Sequence, residues 1–186
     1  MRDLVDITIA FFLFLCLLPL IAVISLIIKL TSQGPVFYWS DRVGKNNTLF
    51  RMPKFRTMRV DTPAVATHLL KDPKKYYSPV GGFLRKTSLD EIPQLISIIN
   101  GDMRFVGPRP ALFNQNDLIK LRTEKGIHNY KPGITGWAQI NGRDDISIPE
   151  KVLLDEEYIK DVSFWKDILI FLRTIIKVLR KDSITH

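Results

Sequence analysis

The sequence predicts an α+β protein: a membrane-embedded N-terminal helix followed by a small globular domain of short helices, a β-hairpin and interfacial amphipathic helices. Three observations carry this. Ile7 to Ile28 is a run of 22 residues without a charge, long enough at ~1.5 Å per residue to cover ~33 Å of bilayer core. Beyond residue 31, apolar residues recur at helical spacing in several segments ending in Gly, Pro or charged residues. Between 34 and 60, β-prone residues alternate with turn material. The chain therefore divides into residues 1–30, a membrane-inserted helix broken at Pro19, and residues 31–186, a separate domain.

Composition narrows the classes further. A chain of 186 residues suits one domain. A charged fraction of 25% with 10 Gly and 11 Pro excludes a disordered or collagen-like chain. The single Cys16 excludes an internal disulfide framework or a cysteine zinc cluster. His68, His128 and His186 are isolated and lack metal-ligand spacing. The net charge of +8 points to an anionic partner. Arg2 and Lys29 cancel Asp3 and Asp6, so the whole excess sits after residue 30.

The apolar run does not read as a cleaved signal, because acids flank its start and no small-x-small site follows. Pro19 lies in its middle, without an N–H and with a ring that presses on the carbonyl of Leu15. Either the helix is kinked and spans the bilayer, or it turns back so that both ends emerge on one face.

Gly34-Pro35 opens the run Val36-Phe37-Tyr38-Trp39. Residues 42–47 are turn material, and the chain returns through Thr48-Leu49-Phe50 as a hairpin leading to Lys54-Phe55-Arg56-Thr57-Met58. Met52-Pro53 is expected to bend the returning strand. Residues 61–80 are polar and carry three prolines. Ser88 to Asn100 reads as one helix stopped at Gly101, with Leu89, Ile92, Leu95, Ile96 and Ile99 on one face. Further helices are expected over about 112–125, from Pro149 to about Lys160, and over 164–181 after a Ser163 cap. In the last, Phe164, Ile168, Phe171, Leu172, Ile175, Ile176 and Leu179 share one side, and Arg173, Lys177, Arg180 and Lys181 another. Such a helix packs on a core or lies in a membrane interface.

Asp90-Glu91 stands at the start of the 88–100 helix. Asp90 serves as an N-cap on a structural reading. On a functional reading, two adjacent carboxylates at a helix N-terminus hold a hard cation such as Mg²⁺, or one of them attacks phosphorus. Arg85 and Lys86 lie close by in sequence to dock a phosphate. In Gly107-Pro108-Arg109-Pro110, two prolines fix the backbone on both sides of an arginine suited to grip phosphate. Residues 131–143 mix glycines, an aromatic, the amides of Gln139 and Asn141 and the cation Arg143. They line a polar pocket or form a surface loop. Lys54 and Arg56 reach an anion or remain solvated edge charges.

Taken in order, Gly34-Pro35-Val36-Phe37, Arg42-Val43-Gly44-Lys45, Lys54-Phe55-Arg56-Thr57-Met58, Leu84-Arg85, Ser88-Leu89-Asp90-Glu91-Ile92-Pro93-Gln94-Leu95, Asn100-Gly101-Asp102-Met103, Val106-Gly107-Pro108-Arg109-Pro110 and Lys131-Pro132-Gly133-Ile134-Thr135-Gly136-Trp137-Ala138-Gln139 resemble the bacterial sugar transferases. These are the small monotopic phosphoglycosyl transferases, or polyprenyl-phosphate glycosyl-1-phosphate transferases. Leu154-Asp155, Tyr158, Ser163 and Asp167 fit as well. The likeness covers nearly the whole chain and corresponds to the family's minimal catalytic form.

The resemblance implies transfer of a sugar 1-phosphate from a UDP-sugar to polyprenyl (undecaprenyl) phosphate, with release of UMP, at the start of glycoconjugate or exopolysaccharide assembly. It implies Asp90 as nucleophile, forming a phosphosugar-aspartyl intermediate, Glu91 as its assistant, and Mg²⁺ held by both. Lys54, Arg56, Arg85, Pro108, Arg109, Pro110, Gln139 and Arg143 become substrate-binding candidates. It implies a re-entrant N-terminal helix, a bacterial inner-membrane location with residues 31–186 as a cytoplasmic catalytic domain, membrane lipids as partners, no nucleic acid, and a homodimer as an option. The family often breaks its helix at Ser-Pro, whereas Leu18 precedes Pro19 here, and Ile148-Pro149 stands where an aromatic is common. The competing class is a non-enzymatic, membrane-tethered basic adaptor binding anionic lipid or RNA, which leaves the Asp-Glu pair and the Pro-Arg-Pro element without a purpose.

Overall fold

The computed structural model describes residues 2–63, 72–142 and 146–179. Helix α1 (Arg2–Thr31) is helical throughout, with Pro19 inside it, so the proline does not divide it into two helices. Its apolar window is only 11% buried by the rest of the protein, unlike a soluble core helix. One narrow stripe faces inward. Ala10 packs on Met52, Leu95, Ile98 and Met103, and Ile24 and Ile28 pack on Phe55 and Leu84. The outer surface exposes Leu4, Ile9, Phe12, Val23, Leu26 and Leu30, among others.

Both ends of α1 are tied to the globular part. At the start, Asp6 pairs with Arg104 (2.6 Å), Asp3 with Lys131 (2.8 Å) and Arg2 with Asp167 (3.1 Å). Past the end, the Arg56 guanidinium donates to the carbonyl (3.1 Å) and hydroxyl (2.7 Å) of Ser32 and to the carbonyl of Gln33.

The expected hairpin is β1 (Phe37–Val43) paired antiparallel with β2 (Leu49–Phe55). Contrary to expectation, β2 runs through Met52-Pro53 as regular strand, Pro53 opposite Trp39. In a two-stranded ribbon each strand keeps one free edge, where a missing N–H costs nothing. Of the polar 61–80 stretch, residues 64–71 lie outside the described residues, and 72–80 make regular local contacts. Pro73–Tyr76 is a 3-10 turn, and Arg59 and Ser78 bond across to Tyr76 and Thr57. Helix α2 (Gly81–Lys86) was not anticipated.

The single helix expected over 88–100 is in fact two pieces, a 3-10 turn Leu89–Gln94 and then α3 (Leu95–Ile99). Pro93 has no N–H and crowds the preceding turn, so the α-helical ladder starts only after it. The chain then runs through β3 (Arg104–Val106), α4 (Asn116–Glu124), β4 (Gly133–Thr135), α5 (Trp137–Asn141), α6 (Ile148–Lys160) and α7 (Phe164–Leu179). A capping box formed by Ser147 and Glu150 starts α6. Helix α7 buries Ile170 and leaves Phe164, Trp165, Leu169, Phe171, Leu172, Ile175 and Ile176 exposed.

Strands β3 and β4 were also unforeseen. They pair in parallel, and glycines make their approach possible. A Cβ on Gly133 would lie 2.1 Å from the Gly107 nitrogen, and one on Gly136 2.2 Å from the Gly107 oxygen. This contact anchors the Pro-Arg-Pro segment, because Gly107 N–H donates to Thr135 (2.9 Å) and Gly133 N–H to Pro108 (3.0 Å). Gly133→Ala is expected to destabilise the protein by about 3 kcal/mol or more, since backbone rather than a flexible side chain must move. Thermal melting in detergent measures it.

Candidate active site

Ser88 adopts left-handed φ (56°) and turns the chain into the 3-10 segment. With three residues per turn, Leu89 and Ile92 share a ridge, and both pack among the apolar side chains under α1 and β2. That seating leaves the Asp90-Glu91 pair facing the hairpin and the Pro-Arg-Pro segment. Asp90 sits within the first turn rather than capping it.

The two carboxylates are not equivalent. Glu91 receives Lys54 Nζ (2.7 Å) from β2 and Arg109 (2.8 Å) from between its prolines. Both bonds end on Oε1, and neither takes up Oε2. Burial alone would raise the Glu91 pKa, but Arg109 and Lys54 outweigh it and hold the carboxyl well below its ordinary range. Lys54 itself is lowered by burial, against the pull of Glu91.

Asp90 is 7% exposed. Among the described residues no donor bonds its carboxylate; Lys54, Arg85 and Arg109 act on it only through space. Burial, reinforced by the charge of Glu91, therefore wins and raises its pKa to about 6. Near neutral pH this leaves a carboxylate that is ionised, poorly solvated and unclaimed, the condition of an activated nucleophile.

Of the candidates named from sequence, the fold brings Lys54, Arg85, Pro108, Arg109 and Pro110 to the dyad or its supports. Arg85 lies over the Tyr77 ring (5.3 Å). The prolines act through their backbones, Pro108 accepting from Gly133 and Pro110 from Arg42. Arg56 is not there: it is buried at the end of α1. Gln139 donates to the Ile134 carbonyl (3.1 Å) behind β4. Arg143 lies outside the described residues.

Arg42 was missed as a site residue. It lies on the face of β1 that carries Tyr38 opposite Lys54. Its pKa is lowered to about 10 by burial and then by Arg109, with Glu91 opposing. Continuing the strand alternation two residues past Ser40 would have found it.

The donor set fits a hard divalent cation. Mg²⁺ is usually held by one or two carboxylates, with water and substrate phosphates completing its shell. Unpaired Asp90 and the Oε2 of Glu91 supply that number, and no larger acidic or histidine cluster exists among the described residues. Two carboxylates, one neutralised and one bare, within reach of Lys54, Arg85, Arg109 and Arg42 make a site for a phosphorylated anion.

The comparisons with known proteins agree. The family model described as bacterial sugar transferase matches residues 1–181. A protein of Bacillus subtilis named uncharacterized sugar transferase EpsL is 40% identical over 186 residues, covering 99% of this chain and 90% of its own. The UDP-glucose:undecaprenyl-phosphate glucose-1-phosphate transferase of Escherichia coli is 41% identical over 92% of this chain, which spans 39% of that relative. The undecaprenyl-phosphate galactose phosphotransferase of Salmonella typhimurium is 38% identical over 81% of this chain and 34% of its own. The chain belongs to the bacterial sugar transferase family, and by that membership it is a transferase enzyme.

The bare carboxylate has a measurable cost. The pKa of Asp90 rises from 3.8 to about 6 on folding, so keeping it ionised opposes folding by up to about 3 kcal/mol. The cost is absent below about pH 4, grows as pH rises and is complete above about pH 6. Asp90→Asn is therefore expected to melt higher than the parent at pH 7.5 and to lose that advantage near pH 4. An unchanged difference across this window would remove the case for a strained Asp90.

Proposed function

We propose that the protein transfers a sugar 1-phosphate from a UDP-sugar to a polyprenyl phosphate, in the manner of the undecaprenyl-phosphate transferases to which it is similar. The observation that carries this reading is the asymmetry of the dyad. Among the described residues no donor bonds the Asp90 carboxylate, while Glu91 beside it is bound by Lys54 and Arg109.

An Asp90 oxygen attacks the phosphorus next to the sugar. The bond from that phosphorus to the oxygen of the UMP phosphate breaks, and UMP leaves with the electron pair. The sugar phosphate is then held on Asp90 as an acyl phosphate. A phosphate oxygen of the polyprenyl phosphate attacks the same phosphorus and expels the Asp90 carboxylate. Lys54 and Arg109 keep Glu91 ionised and, with Arg85, offset charge that develops on the phosphoryl oxygens. Asp90 and Glu91 would hold Mg²⁺, which would supply further charge neutralisation when bound.

Two features of α1 and α7 support a membrane arrangement. Ion pairs at Asp3 and Asp6 and the Arg56 bonds past Thr31 join both ends of α1 to one charged domain. A straight span would separate those ends by ~30 Å of hydrocarbon; in our reading both ends of α1 therefore stay on the domain's side of the membrane. The exposed apolar row of α7 lies in the same interface. We place the domain on the cytoplasmic side of the bacterial inner membrane, where UDP-sugars are made and the excess of +8 meets anionic lipid.

Purified protein in detergent with Mg²⁺, undecaprenyl phosphate and a panel of UDP-sugars is expected to release UMP with one or a few donors. Asp90→Asn is expected to abolish release, and turnover retained in that variant would sink the nucleophile assignment. Lys54→Met is expected to cost about 100-fold in kcat, the scale of removing one stabilising charge. For topology, a cysteine placed before Arg2 in a Cys16→Ser background is expected to resist an impermeant thiol reagent in intact spheroplasts. Labelling there would mean a true span.

A further inference from the structure

Arg122 and Asp155 form a buried pair distant in sequence from every residue of the dyad. Arg122 on α4 meets the Oδ2 of Asp155 on α6 through Nε (3.0 Å) and Nη2 (2.5 Å). Its remaining terminal nitrogen, Nη1, donates to the main-chain carbonyl of Arg109 (2.7 Å). The side chains are 9% and 2% exposed.

We propose that Arg122 and Asp155 are positioning residues for Arg109: they pin the carbonyl of the arginine that grips Glu91, and so set the direction from which its guanidinium meets the site. This rests on the reading of Arg109 as part of the transfer site.

The backbone argument is specific. Proline at 108 and 110 fixes φ on both sides of Arg109, and the residue before a proline is confined to extended conformations. The segment therefore moves as a stiff strap. One end is held by Gly107 and Gly133 against β4. The other end is tied to β1, where Val43 N–H donates to the Ala111 carbonyl (3.0 Å), so the orientation of the strap between these anchors depends on what holds its own carbonyls. Arg122 holds that of Arg109, and Arg42 holds that of Pro110 (3.2 Å).

A plain tie between α4 and α6 accounts for less. Leu118, Ile127 and Val152 already pack those helices together. A buried ion pair is a weak source of net stability against an apolar alternative. The third hydrogen bond of Arg122 leaves both helices for the strap. Arg42 would be an ambiguous probe, because its charge also acts alongside Glu91 and Arg109. Arg122 bonds only the strap carbonyl and Asp155 among the described residues, which makes it the informative one.

The test is a double-mutant cycle on the full-length protein in detergent, using UMP release with whichever UDP-sugar proves a donor. Lysine cannot reproduce the fork of Arg122, which serves Asp155 and the carbonyl together. Arg122→Lys is expected to lower kcat/KM by about 100-fold, the cost of a misplacement of about 1 Å. Most of the loss should fall in kcat. In an Arg109→Lys background, the same change is expected to cost no more than about twofold, because its route is already gone. Losses that multiply would overturn the proposal, as would a folded Arg122→Lys protein with parental kinetics. Asp155→Asn, which keeps the shape of the pair, replaces Arg122→Lys in the cycle if the latter does not melt cooperatively.

A second measurement does not need turnover. In protein labelled with ¹⁵N-arginine, the Arg109 side-chain resonance is assigned by its absence from Arg109→Lys. It is expected to move in Arg122→Lys, or in Asp155→Asn, toward its position in Glu91→Gln. A resonance that stays in place in a folded variant overturns the proposal. If no UDP-sugar yields UMP, the transfer reading fails and this resonance still decides whether Arg122 orients Arg109.

Discussion

The site depends on drawing Glu91 largely out of water. A carboxylate taken out of water costs several kcal/mol unless cations come with it, and two of them must arrive from different parts of the chain. Lys54 comes from β2 and Arg109 from the strap after β3. Neither can reach Glu91 unless the hairpin lies against the 3-10 turn and the strap leaves β3 at a fixed angle. The hairpin is seated by Met52 and Phe55 against the α1 stripe. The strap is seated by the glycine contact between β3 and β4. One ion triad thus ties together elements that are too short to be stable alone.

The same triad explains why adjacent carboxylates behave oppositely. Glu91 takes both hydrogen-bonded cations, while Asp90 feels them only through space and is raised by burial first and by the charge of Glu91 second. Two neighbouring groups whose environments push their pKa values apart are the usual mark of divided labour in a site. Here one carboxylate organises the cations, and the other has its pKa raised to about 6.

Much of this was legible in the sequence. The long apolar helix follows from an uncharged run. The dyad, Lys54 and the strap follow from residue types that are unusual in combination. The illegible parts each have a physical cause. Arg56 has the same charge and neighbourhood as Lys54, two residues away. Strand alternation even places the two on the same side, but β2 ends at Phe55. Once out of the strand, Arg56 turns to the unsatisfied carbonyls past α1. The parallel pairing of β3 with β4 depends on partners remote in sequence, which periodicity cannot report, whereas the break at Pro93 is a local effect of the proline that the apolar periodicity runs straight through. Arg42 was hidden because β1 extends into what composition marks as a turn.

The residue before Pro19 illustrates where the membrane geometry is decided. A serine there could satisfy the carbonyl that proline frees, and Leu18 cannot. Yet the helix needs no device at its middle to lie along the domain. Asp6 reaches Arg104, whose guanidinium nitrogens also stand 3.7 Å from Asp3 and 3.8 Å from Asp167 on α7. Arg2 returns to the same Asp167, which also accepts the Tyr158 hydroxyl at 2.6 Å. At the other end, Arg56 gathers Ser32 and Gln33. Each acid in this set is matched by a cation of the globular part, so lifting either end of α1 away would strand charge at the border of hydrocarbon. The ion pairs at the helix start and the Arg56 bonds past its end thus hold α1 against the domain without a Ser-Pro step at its middle.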